Sequence, residues 1–293
     1  MASTTMRHVI LERPAAKAAG VPLGRSAVKQ RITHSFIALC LGALSCLHAA
    51  PMLDGSAFVT SRSGSIAATD AAGQTVDISA HEVLQPAGLQ LSTAAQGQLF
   101  LTFSNSVAIA LTSNTSVQCL EYEQQAFENK DRTSGLEPSV SKLRLKLTEG
   151  ELAIASNQLS PLSELRIQLP TGEIRLHKGT CLIRLDAITG LHIAAYEGNL
   201  TYYYPGAEAR EFISAPKIVR ISQQSLQRQQ IAEAASVDSL SAGSVQFCKA
   251  AQHASQRVSF QANASTGEPP VPIRIVSPDY FKQPDLRPYR FED

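Results

Sequence analysis

The sequence predicts a mainly β protein. Many short strands form a sandwich or a partly coiled β-roll, and a small helical and extended appendage follows at the C-terminal end. Three observations predict it. From about Phe58 to Ile221 the hydropathy alternates with a period of two. Turn residues punctuate the alternation at short intervals. No segment of roughly 10–15 residues with helical spacing separates the runs, which excludes a repeating strand–helix–strand architecture. The 293 residues suffice for one large domain or two small ones, each with a core.

Residues 1–50 read as a secretory signal segment. Arg7, Arg13, Lys17, Arg25, Lys29 and Arg31 face a single acid, Glu12, before residue 35. "SFIALCLGALSCLHAA", Ser35 to Ala50, then carries no Asp, Glu, Lys or Arg. Its apolar part is shorter than the roughly 20 residues of a membrane span, and it ends in small residues. Cleavage is expected after Ala49 or Ala50, with Met6 or a later residue as an alternative start. Lipidation at Cys46 and retention as an uncleaved anchor are the two alternatives.

Residues 51–221 read as the β region. "SRSGSIAATDAAGQTVDI" gives a strand, a turn at Asp70 to Gly73 and a return strand. "GLQLSTAAQGQLFLTFSNSVAIALTSNTSVQCLEY" gives three more runs. In "SKLRLKLTEGELAIAS" Leu143, Leu145 and Leu147 alternate with Lys142, Arg144 and Lys146, so one face is apolar and the other solvated. Gly150 is expected to break that run, and Leu152 and Ile154 to resume it. Further turns fall at Pro170 to Gly172, at Thr189 and Gly190, and at Gly198. The polar stretch Glu123 to Ser141 is expected to be an exposed excursion.

Residues 222–266 are expected to be a helical appendage. "SQQSLQRQQIAEAAS" is rich in helix formers. In "SVQFCKAAQHASQRV" Phe247, Ala251, Ala254 and Val258 share one thin face, too weak for an isolated helix, so it is expected to lie against the β region. Residues 267–293 form a Pro-rich extended tail, whose Tyr280, Phe281, Tyr289 and Phe291 are candidates for docking in a groove.

Composition narrows the function. Charged residues make up 17% of the chain, there is no Trp, and aromatics are 6%. Sugar clefts and base-stacking platforms use more rings than that. Without the head, 20 basic residues face 24 acidic ones with no positive block, which argues against binding nucleic acid through phosphates. No P-loop, dinucleotide glycine loop, H-E-x-x-H or G-x-S-x-G occurs. No two of His81, His177, His192 and His253 are close in sequence, and the nearest pair with a cysteine, His177 and Cys181, falls short of a ligand set, so no metal site is expected. His177 and His192 read as surface histidines on strands. Glu149 and Glu151 read as solvated acids flanking a turn, and Tyr202, Tyr203 and Tyr204 as core and edge packing. Cys119, Cys181 and Cys248 allow at most one disulfide and read as small buried hydrophobes. In "EIRLHKGTCLIRL", Gly179 and Thr180 read as a structural corner, with Cys181, Ile183 and Leu185 as an inward stripe. No catalytic, cofactor-binding or metal-binding residue is assigned, and no cofactor is expected.

Several of these segments, in this order, resemble the FecR family domain of bacterial envelope proteins, in the form found as separate exported proteins of the Verrucomicrobia and their relatives. "GSIAATDAAGQTVDI" resembles the family's first strand pair. "LTFSNSVAIAL" resembles its "L-x-F-S-N-G" strand end, with Ser106 where Gly is common. "YEQQAF" is similar to "F-x-Q-x-x-F". "EPSVSKLRLKLTEGEL" is similar to its "EPS-x-S" loop and following strand. "LPTGEIRLHKGTCLIRL" resembles the block that ends in R-G-T, with Lys178 in place of Arg. The likeness spans about Ser56 to Ile221. It implies an all-β, non-enzymatic envelope domain.

The expected function is therefore an exported, periplasmic or secreted scaffold or protein-interaction module, whose partner is another envelope protein or polymer. No nucleic-acid partner is expected, and membrane association only through an uncleaved or lipidated head. A membrane-anchored regulator relaying an iron-uptake-type signal to a sigma factor is the first alternative. An exported carbohydrate-active β-enzyme, which needs two suitably spaced carboxylates in a cleft, is the second.

Overall fold

The structure is a computed structural model that describes residues 51–127, 136–186, 190–206, 208–231, 233–261 and 271–274. The expected signal segment lies outside the described residues. So do 128–135 of the long polar stretch, Thr189 of one expected turn, and the tail beyond Arg274 with its four aromatics.

The chain is mostly strand, as the alternation requires. β1 (Met52–Asp54), β2 (Ala57–Ser63), β3 (Ile66–Thr69), β4 (Val83–Leu84), β5 (Gln90–Thr93), β6 (Gln98–Phe103), β7 (Ala108–Leu111) and β8 (Ser116–Gln125) come first. β9 (Ser141–Ser156), β10 (Glu164–Leu169), β11 (Gly172–Asp186), β12 (Gly190–Tyr203), β13 (Arg210–Ser214) and β14 (Lys217–Ile221) follow. The C-terminal part holds α1 (Gln223–Arg228), β15 (Glu233–Ala235), a 3-10 turn η1 (Val237–Ser239), α2 (Ala242–Arg257), β16 (Ser259–Gln261) and β17 (Val271–Arg274). Among the described residues the last two pair only with each other.

Three long strands, β9, β11 and β12, each serve two layers, so one continuous mixed sheet folds over on itself without closing into a barrel. In the first layer the order is β13–β12–β11–β10–β9–β8, with β1 and β5 beyond. In the second it is β15–β14–β12–β11–β9–β7–β6–β2–β4. The β9–β10 pair is parallel and its neighbours are antiparallel. Gly150 does not break its strand as expected. With φ of +88° it bends β9, which leaves β8 and β10 and goes on between β7 and β11.

The interior between the layers is apolar. Leu143, Leu145, Leu147, Leu152 and Ile154 are all buried, while Lys142 and Arg144 are exposed, as the alternation predicts. A second core lies on the outer face of the second layer. There Ala108, Ala110, Ala153, Ala155 and Ala194 meet Cys248, Ala250, Ala251 and Ala254 of α2. Small residues on both sides let helix and sheet approach closely. The expected helix face is present with Cys248 added at its centre, and Ser241 caps the helix by accepting from the Ser244 N–H.

Three local expectations are corrected. The three runs between Gly88 and Tyr122 are four strands, because "QLFLTF" and "AIAL" form a tight hairpin instead of one run. The Asp70 turn forms, its Oδ1 accepting from the Ala72 and Gln74 N–H groups, yet the return leg makes only one bridge, Thr69 with Thr75. The glutamine-rich stretch is helical only to Arg228. Gln229, at φ of +50°, ends the helix, and Glu233–Ala235 adds a strand to β14.

Candidate functional site

The strongest polar constellation closes one end of the sandwich. It is assembled from the segments that carried the family resemblance. The β6–β7 turn contributes Ser104 and Asn105, β8 contributes Tyr122 and Gln124, the loop before β9 contributes Glu137, and the start of β9 contributes Ser141. Ser104 Oγ and the Tyr122 hydroxyl share a hydrogen bond of 2.8 Å, and Ser104 Oγ donates to Gln124 Oε1 at 2.6 Å. The Asn105 N–H donates to the Tyr122 oxygen at 2.9 Å, and Asn105 Nδ2 donates to Ser141 Oγ at 2.9 Å. Ser141 Oγ donates to Glu137, whose other oxygen accepts from the Ser160 N–H and from Ser163 Oγ.

Burial pushes the Tyr122 hydroxyl far above its ordinary acidity range, against the pull of its bonds to Ser104 and Asn105. Burial likewise raises the Glu137 carboxyl, against its three hydrogen-bond donors. Ser141 and Ser163 donate to Glu137 and Ser104 donates to Gln124, so each of these hydroxyls is spent on a partner inside the knot. Its chemistry is structural: it satisfies polar groups that the fold buries. In "YEQQAF", Tyr122, Gln124 and Phe127 are all buried, which corrects the reading of Glu123 to Ser141 as wholly exposed: its first residues complete β8, and Glu137 is drawn inward. Ser106 sits at φ of +68°, where the resembling family commonly has Gly.

The residues singled out in the sequence are dispersed. His177 lies exposed on β11, while His192 pairs in register with Arg184, so the two histidines do not meet. Glu149 is exposed, and Glu151 accepts from Arg184 Nε at 2.6 Å. Tyr202 and Tyr204 point inward and pack edge-on at 5.1 Å, and the Arg175 guanidinium stacks 4.3 Å over Tyr203. Cys119, Cys181 and Cys248 are buried free thiols. Gly179 and Thr180 are buried in the strand interior, where β11 passes from β10 to β9, and Cys181 and Ile183 extend inward from that corner. Leu182, on the opposite face, is also buried, a second burial that alternation alone does not reveal. No group of three or more His, Cys, Asp or Glu among the described residues could hold a metal ion.

One surface stands out. Among the described residues β13 pairs with β12 along one side only and forms the margin of the first layer. Its Ile213 is buried, whereas Phe212 is 69% exposed, with the Arg210 guanidinium 5.4 Å from its ring centre. An open strand margin with an uncovered aromatic ring is the feature that sheets normally blunt.

No family model matches the chain, and no curated protein does. Among solved structures, two crystal structures of a candidate anti-sigma factor from Parabacteroides distasonis ATCC 8503, at 2.50 and 1.65 Å, are similar over part of the fold. The TM-scores are 0.36 and 0.35, with 9% and 8% identity. The match covers 50% of this chain and 59% of those chains.

Among the described residues no helix is long and apolar enough to cross a membrane.

Proposed function

We propose that the chain is a non-enzymatic, FecR-like β module of the bacterial envelope that works by binding another protein. The observation that carries this reading is the β13 margin, where an extended backbone edge and the exposed ring of Phe212 lie side by side. A partner strand added there would gain main-chain hydrogen bonds, and Phe212 would supply the apolar contact. The buried polar knot supports the same reading, because its side chains bind one another and stabilise the fold.

The test is site-specific photo-crosslinking in cells, with the probe at Phe212 and a control probe at exposed Leu162. One discrete cross-linked protein at position 212, lost with Phe212→Asp in the neighbouring-probe variant, supports the reading. Identical, diffuse products at both positions would overturn it. The finer choice is between an exported scaffold and an anchored regulator that relays a signal to a sigma factor. It turns on the head: the mass of the mature N-terminus in the membrane and soluble fractions separates them, since a cleaved soluble species rules out the relay.

A further inference from the structure

The β13 margin is complementary to itself. The Ala215 N–H donates to the Gly198 carbonyl at 2.9 Å, and the Tyr204 N–H donates to the Ala209 carbonyl at 3.1 Å. Both contacts continue the β12–β13 register, so the alternation of an antiparallel ladder turns the backbone groups of Glu211 and Ile213 towards β12. Those of Arg210, Phe212 and Ser214 point away from it. The side chains of these three share the solvent face of the sheet, and all are exposed. Among the described residues no other strand takes up their N–H and C=O groups.

A second copy laid antiparallel against this margin and centred on Phe212 sets Phe212 opposite Phe212, Arg210 opposite Ser214 and Glu211 opposite Ile213. The free N–H and C=O groups of Arg210, Phe212 and Ser214 then exchange hydrogen bonds in every facing pair they form. The two rings lie on one face with their Cα atoms about 5.5 Å apart, a cross-strand aromatic pair. No like charges face each other. The neighbouring registers are poorer: centring on Glu211 sets that acid opposite its own copy, and centring on Ile213 sets Phe212 opposite Ser214 and loses the ring pair. One short strand edge per copy falls below the roughly 1,000 Å² of a stable interface, so the pairing is weak and depends on concentration.

We infer that the chain pairs with a second copy of itself, β13 against β13 about a two-fold axis at Phe212, and that this pairing regulates the margin by hiding Phe212 from other proteins, a step that rests on the reading of β13 as a protein-binding edge.

The experiment is sedimentation equilibrium of the full chain from about 5 to about 500 μM. The average mass is expected to rise from one copy towards two. Phe212→Asp is expected to weaken association tenfold or more, because two carboxylates would then face each other. Ser214→Pro keeps the ring but removes an outward N–H that the β12–β13 ladder does not use, a place where edge strands accept proline. It is expected to weaken association tenfold or more and to leave the thermal midpoint of the dilute chain unchanged. For the register, Arg210→Cys and Ser214→Cys chains are expected to form disulfide-linked dimers on mild oxidation when mixed, and not when either is oxidised alone. Association that survives both Phe212→Asp and Ser214→Pro would overturn the inference, as would equal disulfide yield in the unmixed variants. A chain that stays monomeric over the whole range overturns it too. If that monomer still gives the discrete cross-link at position 212, the partner reading stands, so the two fail separately.

Discussion

Gly179 and Gly198 face each other in the β11–β12 ladder, and each takes the space in which a side chain on that residue would sit. A Cβ on Gly179 would lie 2.1 Å from the Glu197 carbonyl oxygen, and one on Gly198 2.4 Å from the Lys178 carbonyl oxygen. Both hold positive φ, +128° and +76°. The contact lies where β11 passes from β10 to β9, so it forms the crease that lets one sheet become two layers. Gly179→Ala and Gly198→Ala are each expected to cost about 3 kcal/mol or more, because backbone clash adds to the unfavourable dihedral. Urea denaturation of each variant checks this, and a loss below about 1 kcal/mol would contradict the crease.

The Ala-lined interface predicts the opposite kind of failure, overpacking. Ala153 sits on β9 between the sheet and α2 with none of its surface exposed. Ala153→Leu is expected to destabilise by about 1–3 kcal/mol, since added methylenes must push the helix away or leave their preferred rotamers. Leu145→Ala, in the core between the layers, is expected to lose about 2–5 kcal/mol through a cavity. Thermal unfolding of both variants checks the pair; an unchanged midpoint for Ala153→Leu would show that α2 is not packed there.

Much of the sheet is legible because period-two alternation has a physical cause: a strand with one buried face must alternate, as Leu143, Leu145 and Leu147 do. The second core is harder to read. Its residues are Ala at positions where alternation requires only something non-charged, so Ala108, Ala110, Ala153 and Ala155 resemble a weak solvated face until a helix is known to cover them. The bends are half-legible. Gly150 and Gly179 stand out as glycines, but continuing a strand and ending it produce the same letter. The row of Arg184, His192 and Arg220 on the outer face of the second layer is half-legible too: Arg184 and His192 flank the turn expected at Thr189 and Gly190, whereas Arg220 joins them only through the register of β12 with β14.

The three thiols of the β region and α2 should be inert in the folded protein. Burial pushes Cys119 and Cys248 up to about 12 and Cys181 higher still, so little thiolate exists near pH 8. Alkylation followed by peptide mapping is expected to leave all three unlabelled in the native state and labelled in denaturant. Native labelling of Cys248, or a disulfide linking it to Cys181, would show that α2 does not hold its place on the sheet.

Glu137 gives a pH dependence whose sign can be worked out. Burial raises its carboxyl pKa in the folded state above the ordinary 4.5. Below about 4.5 both states hold the proton, and the residue does not tilt the balance. Between that value and the raised one, the folded state keeps a proton that the unfolded state has released. Stability contributed by Glu137 is therefore lost as pH rises through this window, opposite to a carboxylate held by a cation. Glu137→Gln cannot ionise, so its own effect on stability is flat with pH. The difference in unfolding free energy, wild type minus Glu137→Gln, is expected to fall as the pH is raised above about 4.5 in urea denaturation. A difference that rises over that interval would mean that the hydrogen bonds from Ser141, Ser160 and Ser163 outweigh burial and hold the carboxylate in its charged form.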